Sequence, residues 1–422
     1  MSKYAYSVPM ETVRKPRSFH LLAKPTGAVC NLDCTYCFYL SKEALYPGSP
    51  FRMSDEVLES YVRQLLGSIE VPDVNIAFQG GEPTLMGRSF FEKAAALARR
   101  YRKPNQNLVF SIQTNGTRID KDWCEFFREN QFLVGLSIDG PKDVHDAYRV
   151  NKGGKGTFDR VLEAWELMKA KGVDVNILCT VHAANQDRGL ETYRFFRDEL
   201  GAEFLQFIPI VERATSESLE IAERGWHDKV GGERPLYEQV GELATSRSVG
   251  PDAYGRFLIE IFDEWVKSDV GKVFVQMFDV TLGSYFGLHS LCIFAPTCGD
   301  ALALEHNGDL YSCDHFVEPK YRLGNIVERR MEDLVALPLQ KQFGRDKRDT
   351  LPKMCRDCDV LFACNGGCPK DRFVTTPHGE PGLNYLCSGL LAFFRHSRPK
   401  MERMAALLKS EKLAADIMRE QW

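Results

Sequence analysis

Between residues 19 and 210, short apolar runs rich in β-branched and aromatic residues alternate with longer stretches whose apolar residues recur at helical spacing. The runs at 19–24, 74–78, 108–113, 132–137, 173–181 and 203–208 read as strands. The stretches at 54–68, 88–102, 121–130, 157–171 and 189–200 read as helices, and Ser54 and Asp120 suit the N-cap positions of two of them. Alternation at this pace makes βαβ units, because a parallel strand pair needs a crossover long enough to hold a helix. The expected fold is therefore α/β with a parallel sheet, and its chemistry belongs at the C-terminal ends of the strands.

Unusual residues collect at those ends. The loop leaving the first strand carries Cys30, Cys34 and Cys37, spaced Cys-x3-Cys-x2-Cys. After the second strand comes Gln79-Gly80-Gly81-Glu82-Pro83-Thr84, where paired glycines let backbone approach a ligand closely. The third strand ends in Gln113-Thr114-Asn115-Gly116-Thr117, and the fourth in Ser137-Ile138-Asp139-Gly140-Pro141 with Arg149 beyond it. The sixth runs into Phe207-Ile208-Pro209-Ile210-Val211.

Three thiolates suit an iron–sulfur cluster with one iron left open, since such clusters normally take four. A missing protein ligand leaves a coordination site for a small molecule. The chain has 13 cysteines, which is many for a reducing compartment unless most bind metal, and the odd total argues against a complete disulfide framework. Eight more crowd the C-terminal part as Cys292-x5-Cys298-x14-Cys313 and Cys355-x2-Cys358-x5-Cys364-x3-Cys368-x18-Cys387, enough for two four-coordinate sites. Asn307-Gly308 between apolar runs marks a β-hairpin there. Zinc is the competing metal, because four-cysteine zinc sites use similar spacings. Cys124 and Cys179 stand alone in apolar surroundings and read as buried small hydrophobes.

The Cys30–Cys37 spacing, with the aromatic Tyr36 before its last cysteine, resembles the radical S-adenosylmethionine (SAM) superfamily. The resemblance implies a partial, six-stranded TIM-type (β/α)6 barrel. Cys30, Cys34 and Cys37 would ligate a [4Fe–4S] cluster whose open iron is chelated by SAM. Gly81 and Glu82 would contact the SAM amino group, Ser137 and Arg149 its ribose and carboxylate, and Val211 its adenine, with Tyr36 beside them. A long arginine fork suits a carboxylate. The later cysteines resemble the SPASM extension of this superfamily, which binds two auxiliary [4Fe–4S] clusters. By that resemblance Cys292, Cys298, Cys313 and Cys368 hold one, and Cys355, Cys358, Cys364 and Cys387 the other.

Further stretches narrow the resemblance to anaerobic sulfatase-maturating enzymes. They include Cys34-Thr35-Tyr36-Cys37-Phe38-Tyr39, Leu205-Gln206-Phe207-Ile208, Cys313-Asp314 and Leu323-Gly324-Asn325-Ile326. That family oxidises a sulfatase cysteine or serine to Cα-formylglycine. It implies Asp314 as the catalytic base beside the first auxiliary cluster, a Cys/Ser-x-Pro-x-Arg-type sulfatase motif as substrate, and flavodoxin or ferredoxin as electron donor. The alternative is a SPASM maturase forming thioether or other crosslinks in a ribosomal peptide. Against it, only about 18 residues precede the first strand, too few for a separate peptide-recognition domain.

The 422 residues suit a barrel over 1–235, a linker and bridging helix over 236–285, a SPASM domain over 286–395 and a C-terminal helix over 396–422. Residues 212–249 are polar and weakly periodic, and read as a linker or irregular substrate-facing segment. A strand is expected at 273–277 after a helix at 254–267. A net charge of −4 offers no basic field for nucleic acid. Residues 1–16 hold no apolar core of a leader, and no stretch approaches the ~18 apolar residues of a membrane span, so a cytoplasmic location is expected.

Overall fold

The computed structural model describes residues 18–420 except 230, 231 and 233, so the reading of residues 1–16 lies outside the described part. Six strands form in the expected places: β1 (His20–Lys24), β2 (Asp73–Phe78), β3 (Asn107–Thr114), β4 (Phe132–Ser137), β5 (Asp174–Val181) and β6 (Phe204–Pro209). Each pairs in parallel with the next. Helices α1 (Asp55–Ser68), α2 (Arg88–Tyr101) and α3 (Lys121–Glu129) make the first crossovers. Ser54 accepts from the Val57 amide at 3.2 Å and Asp120 from the Trp123 amide at 3.0 Å, which fixes where two of them start. On β2, Val74, Ile76 and Phe78 are buried towards the helices, while Asn75 and Ala77 face the opposite way. That inner face is polar at many positions, with Asn75, Ser111, Gln113, Asn176 and Gln206 lining a cavity of about 840 Å³.

The sheet does not stop at six strands. Ala301–Glu305, the first arm of the expected hairpin, lies parallel to β1 from His20↔Ala301 to Lys24↔Glu305. Asp309–Tyr311 and Arg322–Asn325 continue it antiparallel. The strand expected at 273–277 is only Phe274–Val275, paired to β6, and the chain turns helical at Gln276–Ser284. Burial decides this: Met277, Phe278, Val280, Thr281 and Ser284 recur at helical spacing and cover the core.

The described residues of 212–249 are packed structure, correcting the reading of that stretch as a linker. Glu212 and Arg247 form a buried ion pair at 3.1 Å. Trp226 and Tyr237 bury together with Ala214 and Ala222 against Phe38, so the stretch folds onto the first cysteine loop. Arg234 ties it down through Asp33 at 3.3 Å and through Glu43. Behind the barrel, the helix Pro251–Ser268 crosses the helix Cys387–Lys409 with glycine on glycine: a Cβ on Gly389 would lie 2.0 Å from the Pro251 carbonyl. The C-terminal α-helix starts at Cys387, before the expected 396, and ends at Lys409, with a short 3-10 helix at Ala414–Arg419 beyond it. Among the described residues no helix is long and apolar enough to cross a membrane.

A candidate cluster and cofactor site at the barrel mouth

The first cysteine loop is held by backbone. Gly81 N donates to Gly27 O at 2.8 Å and Glu82 N to Val29 O at 2.9 Å. A Cβ on Gly81 would lie 2.0 Å from Val29 O, so this glycine is required by the cysteine loop itself. From the other side, Asp33 N donates to Val150 O at 2.9 Å and Thr35 N to Tyr148 O at 3.0 Å. Leu32, Cys34 and Tyr36 form one apolar cluster with Cys30, Cys37, Tyr148 and Ile210. Cys30 Sγ accepts from Leu32 N at 3.4 Å and Asn115 Nδ2 at 3.6 Å, and it lies 4.0 Å from Asn31 Oδ1. Burial pushes all three thiols up, Cys34 to about 12, so bound metal would have to deprotonate them.

Glu82 is fully buried, and both its oxygens are already in use. Oε1 accepts from Thr84 N at 3.0 Å, Thr84 Oγ1 at 2.6 Å and Thr114 Oγ1 at 2.8 Å, and Oε2 accepts from Asn115 N at 2.8 Å. Its side chain therefore locks the β3 turn to the glycine turn. Ser137 Oγ accepts from Gln113 Nε2 at 2.9 Å, and Gly135 leaves the room that Gln113 fills, since a Cβ there would meet Gln113 Oε1 at 2.0 Å.

Arg149 meets a carboxylate of the chain itself. Its Nε and Nη2 donate to the two oxygens of Asp139 at 2.7 and 3.1 Å, with both residues buried. Asp139 also accepts from the Tyr36 hydroxyl at 2.8 Å and the Thr180 amide at 2.9 Å, and His182 Nε2 stands 3.7 Å away. Burial would raise the Asp139 carboxyl, but Arg149 and His182 outweigh it and hold it well below the usual carboxylate range. Asp139, Thr180, His145 and His182 were not singled out from sequence; a buried arginine's need for an acid was the available signal. The Val211 side chain joins the main core, and its neighbour Ile210 packs on Cys34 and Tyr36. Neighbours in an extended segment point to opposite sides.

The Ala301–Glu305 strand carries the second cysteine block to the same mouth. Three residues past the hairpin, Asp314 pairs with Lys24 at the end of β1. The Lys24 side chain is 2% exposed and lies 4.0 Å above the Tyr39 ring, whereas Asp314 is 19% exposed. Burial raises the Asp314 carboxyl, but Lys24 and then His315 pull it below the ordinary range, so it is ionised at neutral pH. Lys24 was not identified from sequence, because its partner lies 290 positions away.

The later cysteines fall into two groups. Cys355, Cys358, Cys364 and Cys387 line one cavity with Leu361, Asn384 and Leu391. Cys298, Cys313 and Cys368 each lie within electrostatic range of Cys292. Among the described residues no three His, Cys, Asp or Glu side chains are grouped tightly enough to hold a single metal ion, and the Cys355, Cys358, Cys364 and Cys387 set borders one shared space. Ligands spread around a space fit a polynuclear cluster, whose thiolates bind different irons. Cys124 and Cys179 are fully buried and apart from both sets.

Comparison with known proteins agrees with this geometry. Residues 25–196 match the model of the radical SAM superfamily, and residues 292–359 match that of an iron–sulfur cluster-binding domain, SPASM. A serine-type anaerobic sulfatase-maturating enzyme of Bacteroides thetaiotaomicron is 44% identical over 405 residues, 96% of this chain and 95% of the relative. A cysteine-type enzyme of Clostridium perfringens is 35% identical, over 92% of this chain and 99% of the relative. The solved structure of native anSMEcpe with bound AdoMet superposes with a TM-score of 0.78 at 34% identity, covering 92% of this chain and 99% of that one. With its cysteine loop, its SPASM block and this likeness along almost its whole length, the chain belongs to the anaerobic sulfatase-maturating enzymes, radical SAM oxidoreductases that generate formylglycine with SAM and [4Fe–4S] clusters.

Proposed function

We propose that this chain oxidises the cysteine or serine of a Cys/Ser-x-Pro-x-Arg-type sulfatase motif to formylglycine, with Asp314 as the base and a flavodoxin or ferredoxin as electron donor. The sulfatase polypeptide as substrate follows from the family; a related anSMEcpe structure holds a bound Cp18Cys peptide. The observation that carries the role of Asp314 is its ion pair with Lys24 at the seam between β1 and the cysteine hairpin. A carboxylate there is charged, fixed in direction and still partly open to the mouth.

The thiols of Cys30, Cys34 and Cys37 would hold the cluster that SAM completes. Gly81 and Glu82 keep the loop in place, Ser137 and Arg149 border the ribose and carboxylate side, and Tyr36 with Ile210 supplies an apolar wall. The Cys292, Cys298, Cys313 and Cys368 set and the Cys355, Cys358, Cys364 and Cys387 set would hold the auxiliary clusters. When bound, SAM on its cluster would supply the radical chemistry that removes the Cβ hydrogen, and the auxiliary clusters held by the two later cysteine sets would supply the sink for the remaining electron. Asp314 accepts the thiol or hydroxyl proton, which makes the C=S or C=O bond possible. Water then releases sulfide from a thioaldehyde, whereas serine gives the aldehyde directly.

Anaerobic incubation of reconstituted enzyme with SAM, a reductant and matched cysteine and serine peptides, read by mass spectrometry, tests this. Asp314→Asn should keep its iron and form 5′-deoxyadenosine while formylglycine falls by at least ~10²-fold. Undiminished product in that variant would remove Asp314 from the proton transfer.

A further inference from the structure

One guanidinium sits where the two later cysteine sets meet. Cys364 belongs to one set and Cys368 to the other, and only Asn365, Gly366 and Gly367 separate them. All three have left-handed φ, of +46°, +72° and +62°, so the link curls back on itself. Arg372 gathers its carbonyls: Nε donates to Gly366 O at 2.9 Å, and Nη2 to Asn365 O at 2.9 Å and Gly367 O at 3.3 Å. Nη1 donates to Lys347 O. A Cβ on Gly366 would lie 2.6 Å from Arg372 Nη2, so the glycine vacates the space that the guanidinium fills.

Every acceptor in that list is a neutral carbonyl. Cysteines of both sets lie within electrostatic reach of Arg372, Cys355 and Cys364 on one side and Cys298 and Cys368 on the other, and they would be anionic once they bind metal as thiolates. Its neighbours behave differently. Lys347 donates to Ala295 O, and the cysteines that weigh most on it, Cys298, Cys368 and Cys292, belong to one set. Arg395, near Cys358, is committed to Asp359 at 2.8 Å. A guanidinium stays charged even when largely buried, and such a charge is costly without an anion to answer it. Four-thiolate [4Fe–4S] centres are anionic and become more so on reduction.

We propose that Arg372 is the shared counter-charge and positioning residue of the two auxiliary centres, fixing Cys364 relative to Cys368 and raising the reduction potentials of both clusters together. This rests on the reading of the eight later cysteines as cluster ligands. Positive charge and hydrogen bonding near a cluster are recognised levers on its potential.

The test is a redox titration of the reconstituted full-length enzyme, followed by electron paramagnetic resonance. Arg372→Gln should weaken reduction of both auxiliary clusters at least tenfold, a drop of about 59 mV for each one-electron couple. The SAM-binding cluster should not move. Arg372→Lys keeps the charge and should hold both potentials closer to wild type than Arg372→Gln does, and Arg395→Gln should shift neither. No shift in Arg372→Gln, or a shift of one auxiliary cluster alone, overturns the inference. Should Arg372→Gln lose its iron, Arg372→Lys decides: two potentials displaced together support the sharing, and one displaced without the other defeats it. Wild-type enzyme that lacks auxiliary signals would instead overturn the ligand reading, which separates the two failures.

Discussion

Cys30, Cys34 and Cys37 lie within eight residues of one loop, whereas the later eight cysteines are drawn from widely separated segments between 292 and 387. The first set depends on close backbone approach, with Gly81 pressed against Val29, and its nearby charges are already paired as Arg149 with Asp139. The later sets lie among helices and short turns, with the cations Lys347 and Arg372 within electrostatic reach of the thiols and bonded to backbone carbonyls. A site that must keep one iron open benefits from ligands on a single loop, because nothing else has to close over it. A site that only stores and passes electrons can be enclosed by distant segments.

The strongest way to sharpen this contrast is Gly81→Ala. Its Cβ has no room beside Val29 O, so the first loop must shift, and the variant should lose SAM-dependent iron and all product while the later sets keep theirs. Iron and sulfide counts with Mössbauer spectra check this, and loss of all clusters together would break the distinction. Next comes Asp139→Asn, which leaves Arg149 buried without its anion and should cost about 3–5 kcal/mol of stability. Denaturant melts of anaerobic protein would read it.

A smaller effect concerns His145, whose Nδ1 accepts from Asp139 N at 3.4 Å. Burial, then the Arg149 charge, lowers its value from 6.5 to about 3. Below pH 6.5 the unfolded chain binds a proton that the folded one refuses until about pH 3, so stability falls as pH drops through that window. His145→Gln should flatten the decline between pH 6.5 and 5.5, seen in melts at several pH values. Smallest of all, Cys124→Ala should leave iron content unchanged and cost on the order of 1 kcal/mol, the price of removing one buried group.

The barrel was legible because each βαβ unit is written in local periodicity. β1 to β6 and their first helices sit within a residue or two of expectation, and the N-caps at Ser54 and Asp120 form as their side chains dictate. The packing of residues 212–249 was hidden, since Trp226 and Tyr237 gain their meaning only against Phe38. The strand Phe274–Val275 is shorter than its apolar run for a related reason: a run of that length suits either a strand or a buried helix, and packing against the core favours the helix from Gln276.

By itself, the sequence determined the loop of three thiols, the eight later thiols and the turn motifs at the strand ends, because spacing along a chain fixes which ligands can share one loop. Tertiary structure alone decided that Ala301–Glu305 would lie beside β1, bringing Asp314 to Lys24, and that Arg149 would spend its fork on Asp139. Strand pairing across nearly 300 residues and the answering of a buried charge are set by what the folded chain places nearby, and no local pattern encodes that.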